Sequence, residues 1–145
     1  MTQALRDATA TQAFGRQLAL RLPAGSILLL AGDLGAGKTC LVQGLAAGLG
    51  IEEPITSPTF ALAQHYPLTP SGGLVHLDLY RLELAAADEL FAQEEEEARA
   101  LGALLAVEWP ERLSRPPDGC WQIQLSLRDP LNPEAGRLIE VRSPS

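Results

Sequence analysis

"AGDLGAGKTC" (residues 31–40) holds the only lysine in a chain of 145 residues; the ten other basic residues are all arginine. Within it, Gly32-Asp33-Leu34-Gly35-Ala36-Gly37-Lys38-Thr39 completes the pattern G-x-x-x-x-G-K-[ST]. Each position has a physical task. Glycines let the backbone turn so that successive N–H groups converge on phosphate oxygens. The helix beginning near Gly37 would aim its unpaired N–H groups and positive dipole end at the same anion. Lys38 would supply a compact, mobile charge for the β- and γ-phosphates, and the Thr39 hydroxyl a ligand for Mg²⁺. With glycine at about 7% of residues, the pattern arises by chance in roughly one chain of this length in a few hundred. A chain that uses arginine everywhere else has placed its one ammonium where a planar guanidinium would not fit.

The flanks suit such a phosphate loop. "SILLLA" (residues 26–31) is a continuous apolar run of strand length, as expected for a strand covered on both faces. "KTCLVQGLAAGLG" (38–50) follows with Leu41, Leu45 and Leu49 on one helical face and Gly50 as a C-cap. Upstream, "TQAFGRQLALRL" (11–22) spaces Phe14, Leu18 and Leu22 for an amphipathic helix. Downstream, "FALAQHY" and "LVHLDLY" read as two strands joined by "PLTPSGG". "AAADELFAQEEEEARALG" reads as a helix stopped by Gly102, and "ALLAVEW" as a second buried strand. "WQIQLSL" and "GRLIEVR" look like a closing strand pair. The expected fold is a single α/β domain over residues 1–145: a three-layer P-loop NTPase fold, its mainly parallel sheet carrying an antiparallel hairpin insert.

Composition narrows the function. A net charge of −7 is the wrong sign for a protein that grips nucleic acid by itself, so any involvement with nucleic acid should run through a partner. No apolar run approaches bilayer length, and no signal-like segment opens the sequence, which points to the cytoplasm and to no membrane. Cys40 and Cys120 lie far apart with no C-x-x-C, so reduced thiols are expected. With Lys38 already used, the chain has no Asn-Lys-x-Asp guanine reader, which favours ATP and ADP over guanine nucleotides.

A phosphate loop needs acids to hold Mg²⁺ or orient water, and ligands of parallel sheets sit beyond the strands' carboxyl ends. Apolar strand sequence leads straight into Glu108 and into Asp78, so either is a candidate for each role. "TSPTF" (56–60) offers Ser57 and Thr59 as a switch-like loop. His65 and His76 read as strand residues, and Glu94 to Glu97 as a solvated helix face. The leading reading is an ATPase, weak until a partner completes its site. A small-molecule kinase on the same scaffold, or a module that binds nucleotide without hydrolysing it, are the alternatives.

"GDLGAGKT", "SPTF", "HLDLYRL" and "VEWPERL", in this order and spacing, resemble the TsaE (YjeE) family, bacterial ATPases of tRNA threonylcarbamoyladenosine biosynthesis. The resemblance runs from Thr11 and Gly15 to "GRLIEV". It implies that Gly32 to Thr39, with Cys40 beside them, bind the phosphates, and that Thr39 and Glu108 meet Mg²⁺. It further implies that Asp78 serves hydrolysis, that Thr59 lies in a switch-like loop, and that Trp109 and Thr11 approach the nucleotide. The implied partners are TsaD and TsaB, which act on the tRNA. "FAQEEEEARALGALL" departs from the family's usual acidic-helix ending, away from the site motifs.

Overall fold

The computed structural model describes residues 1–33, 35–56 and 62–144. It contains β1 (Thr2–Leu5), α1 (Ala8–Arg21), β2 (Ile27–Ala31), α2 (Lys38–Leu49), β3 (Ala63–Pro67), β4 (Gly73–Asp78), α3 (Leu84–Leu101), β5 (Leu104–Glu108), β6 (Trp121–Leu127) and β7 (Arg137–Arg142). All seven strands join one sheet in the order β1-β7-β6-β2-β5-β4-β3. The four central strands run parallel, with Leu28 beside Ala106 and Trp121, and Asp78 beside Glu108. β3 returns antiparallel on β4, and β7 on β6. This is the three-layer P-loop NTPase architecture, with the hairpin insert at the β3–β4 edge.

Alternation along the central strands divides the core in two. Leu28, Leu30, Leu104, Ala106 and Ile123 point to the α1–α2 side, where they meet Leu41, Val42 and Leu45 of α2. Leu29, Val75, Leu77, Leu105 and Val107 point to the other side, against Ala87, Phe91 and Ala98 of α3. β2 is buried from both faces, which is why its sequence is an unbroken apolar run. Gly50 and Gly102 end α2 and α3 in left-handed conformation, each donating its N–H back to the last turn. No helix among the described residues is long and apolar enough to cross a membrane.

Two elements depart from the sequence reading. α1 starts at Ala8 rather than Thr11, because Asp7 accepts the Ala10 N–H at 2.8 Å and caps the helix one turn earlier. β1 was not expected at all. Its Thr2, Gln3 and Ala4 are exposed, and the strand exists through its antiparallel pairing with β7.

α1 and α2 pack closely because glycine sits where they cross. A Cβ at Gly44 would lie 2.1 Å from the Gln12 carbonyl oxygen, a contact no side-chain rotation relieves. Gly44→Ala is therefore expected to destabilise the fold by about 1–3 kcal/mol, as overpacking does. Thermal denaturation followed by circular dichroism checks this, with a fall of several degrees in Tm expected; an unchanged Tm would show that the helices separate freely.

Candidate functional site

β2, β4 and β5 end at one edge of the sheet, and each delivers a polar segment there. The loop after β2 leads into α2, whose N-cap Gly37 has φ 104° and ψ 17°, a left-handed geometry that a residue without Cβ adopts freely. No side chain among the described residues caps α2 at Gly37, and its positive dipole end is presented at the cleft that Gly37, Lys38, Thr39 and Cys40 line. The cleft measures about 600 Å³, the size of a small-ligand site. Asp78, Glu108 and Trp109 form its opposite wall, and Thr11 and Gly35 complete the set of sequence-predicted residues that line it.

Lys38 is only 5% exposed. Its ammonium donates to the Gly32 carbonyl at 2.5 Å and lies 3.9 Å from the centroid of the Trp109 ring. Burial pushes its pKa below the usual lysine range, against the opposing pull of Glu108, Glu111, Asp78 and Asp33. Trp109 reaches this position through a left-handed backbone, φ 60° and ψ 52°, which is costly for a bulky residue and concentrates at functional sites. Its ring also packs on Tyr80 at 4.7 Å between centroids, and the Arg112 guanidinium lies 5.6 Å from the Tyr80 ring.

The two carboxylates differ in setting. Asp78 accepts the Tyr80 N–H at 3.0 Å, but burial, aided by Glu108, raises its pKa above the ordinary aspartate value. Glu108 is 4% exposed and accepts a hydrogen bond from His76 Nε2 at 2.6 Å. Thr39, Asp78 and Glu108 thus bring hard oxygen donors to one cleft, as Mg²⁺ prefers. Among the described residues no three His, Cys, Asp or Glu side chains make a ready cage, which suits an ion that takes one or two carboxylates and completes its shell with phosphates and water.

Other predicted residues fall into place differently. Gly32, Asp33 and Ala36 lie off the cleft lining: Gly32 holds Lys38, Asp33 closes a turn by accepting the Ala36 N–H, and Ala36 is packed into the core. Thr11 is buried with its hydroxyl already donating to the Asp7 carbonyl, so toward a ligand it can only accept. Leu34, Ser57 and Thr59 lie outside the described residues. Away from the cleft, His65 pairs with Glu94 at 2.5 Å between the β3 edge and α3.

Three contributors escaped the sequence reading. Tyr80 and Arg6 line the cleft. Arg137 on β7 crosses to the phosphate loop, donating to the Gly35 carbonyl at 3.0 Å and to the Pro133 and Gly136 carbonyls at 2.6 and 3.1 Å. All its acceptors are backbone oxygens, so no residue type at any spacing could have announced it.

The two thiols supply a check on this geometry. Cys40 is half-buried in the cleft wall, whereas burial of Cys120 drives its pKa to about 11 and keeps it protonated. A thiol reagent at pH 8 should modify Cys40 well ahead of Cys120, and ADP should slow the Cys40 reaction. Mass spectrometry of the labelled peptides measures both; equal rates, insensitive to ADP, would contradict the placement of Cys40.

The family model described as "Threonylcarbamoyl adenosine biosynthesis protein TsaE" matches residues 5–133. The chain is 50% identical over 115 residues to the tRNA threonylcarbamoyladenosine biosynthesis protein TsaE of Synechocystis sp., a match covering 78% of this chain and 72% of that protein. To the protein of the same name from Nostoc sp. it is 43% identical over 141 residues, 94% of this chain and 82% of that one. Its fold is similar to the crystal structure of Bacillus subtilis YdiB, with a TM-score of 0.75 and 27% identity over 100% of this chain and 86% of that chain. On a family match spanning most of its length, the chain belongs to the TsaE family of tRNA threonylcarbamoyladenosine biosynthesis.

Proposed function

We propose that the chain binds and slowly hydrolyses ATP, and that in the cytoplasm it supports TsaD and TsaB as they form threonylcarbamoyladenosine on tRNA. The observation that carries this reading is the Lys38 ammonium, buried at an uncapped helix N-terminus and facing two carboxylates from adjacent strand ends. A buried cation whose partners among the described residues are a carbonyl and an aromatic ring exchanges these neutral groups readily for a polyphosphate.

In the reaction, Lys38 turns from the Gly32 carbonyl to the β- and γ-phosphate oxygens. The first-turn N–H groups of α2 and the neighbouring loop amides hold the same oxygens. Thr39 and Glu108 are the residues that would hold Mg²⁺, which when bound neutralises charge developing between the β- and γ-phosphates. Asp78, whose pKa burial raises, orients the attacking water and is suited to accept its proton. Arg137 braces the loop through Gly35 and keeps that carbonyl turned from the phosphates. Positioning and electrostatics supply nearly all the catalysis in such a site, so an incomplete constellation turns over slowly. Association with TsaD–TsaB would complete it.

Lys38→Ala is expected to lower phosphate release by a hundredfold or more while the fold persists. Wild-type turnover in that variant would end the reading. Asp78→Asn should cut hydrolysis by about a hundredfold with ADP affinity kept within a few-fold, separating capture from chemistry. Phosphate release by the purified chain, alone and with TsaD–TsaB, tests the partner requirement: marked stimulation is expected. Transfer of phosphate to an added acceptor would instead identify a kinase, and binding without release in either condition a nucleotide-dependent module.

A further inference from the structure

β4 is an apolar strand with one imidazole in its middle. Leu74, Val75 and Leu77 are fully buried around His76, which is itself 0% exposed. Its Nε2 is 2.6 Å from Glu108 Oε2, while its Nδ1 is buried with no hydrogen-bond partner among the described residues. A residue serving only to fill this strand would be apolar, since a half-satisfied imidazole in the core costs stability. The ring's one hydrogen bond goes to the wall of the cleft.

The register explains the reach. His76 stands opposite Ala106 on β5, and Asp78 opposite Glu108, so His76 lies diagonally beneath Glu108 on the same face of the sheet. The small Ala106 leaves the imidazole room to extend along β5 to the carboxylate. The ring engages Oε2, one of the two carboxylate oxygens. Glu108 is the last residue of buried β5 and precedes the left-handed Trp109, so its backbone is fixed and its side-chain torsions are the remaining freedom.

We propose that His76 is a positioning residue for the metal-binding carboxylate: it locks the Glu108 side chain in the orientation that would receive Mg²⁺ together with Thr39. This rests on the reading of Thr39 and Glu108 given above. Partners that orient a metal-binding carboxylate are worth about 10- to 100-fold in metal affinity.

The test is calorimetric. ADP is titrated into the purified chain in EDTA and at a series of free Mg²⁺ concentrations. The wild type should bind ADP in EDTA and more tightly with Mg²⁺. His76→Asn, whose amide stops at the place of Nδ1, should keep its ADP affinity in EDTA within about twofold and raise the Mg²⁺ half-point at least tenfold. His76→Gln, which puts an N–H near the place of Nε2, should restore most of it. If His76→Asn does not fold, His76→Met, of similar bulk but without a donor, should show the same Mg²⁺ shift. A wild-type half-point in a folded His76→Asn or His76→Met, or a loss of ADP affinity equal with and without Mg²⁺, overturns the proposal alone. A wild-type chain whose ADP binding ignores Mg²⁺ overturns the Thr39–Glu108 reading and this inference with it.

Discussion

The site is organised around a buried ammonium with no formal counter-ion in contact among the described residues. Lys38 is held by the Gly32 carbonyl and the face of Trp109, both neutral, while Glu108, Glu111, Asp78 and Asp33 act on it through space. Taking a charge out of water is costly unless something pairs with it. β2 sets where the loop begins, α2 supplies the dipole, and β4 and β5 supply the acids, so three strands and a helix must be in register before the ammonium can be buried. The two-sided core exists to keep them there.

Charge on two scales makes the same point. The chain as a whole is acidic, at −7, and at a distance it repels a polyanion. Exposed charges farther away than about 10 Å, the Debye length at moderate salt, are largely screened, so close to the cleft the local groups and the helix end decide. Lys38, Arg6 and Arg137 line the cleft together with Asp7, Asp78, Glu108 and Glu134, so cations and carboxylates alternate around it rather than one sign prevailing. An acidic body whose cationic groups are confined to a cleft offers no extended basic face to a long nucleic acid.

Much of this was legible in residue order. The phosphate loop, the buried β2, the α2 face with its Gly50 stop and the β6 run all follow from local chemistry, and local chemistry decided them. What escaped depends on distant partners. β1 is a polar edge strand with no pattern of its own, and it forms because β7 offers an open edge. The start of α1 was placed too late because apolar spacing was followed from Phe14, whereas Asp7 sets the cap. Asp78 and Glu108 announced themselves by ending apolar runs, but their different settings come from pairing of β4 with β5, which places His76 under one and not the other. The left-handed backbone of Trp109 and the carbonyl-bound guanidinium of Arg137 leave no mark in residue type.

The Arg137 bond to Gly35 joins residues 102 positions apart, and β6, which flanks the loop's own strand, also comes late in the chain. During synthesis the phosphate loop is made long before the strand that shields it and the guanidinium that steadies it. A nascent chain extended only through β5 has a complete motif but an unfinished cradle: one side of β2 is bare and the Gly35 carbonyl has lost its tether. A ribosome-bound fragment that ends before β6 thus carries the motif without the neighbours that hold its loop in the folded chain.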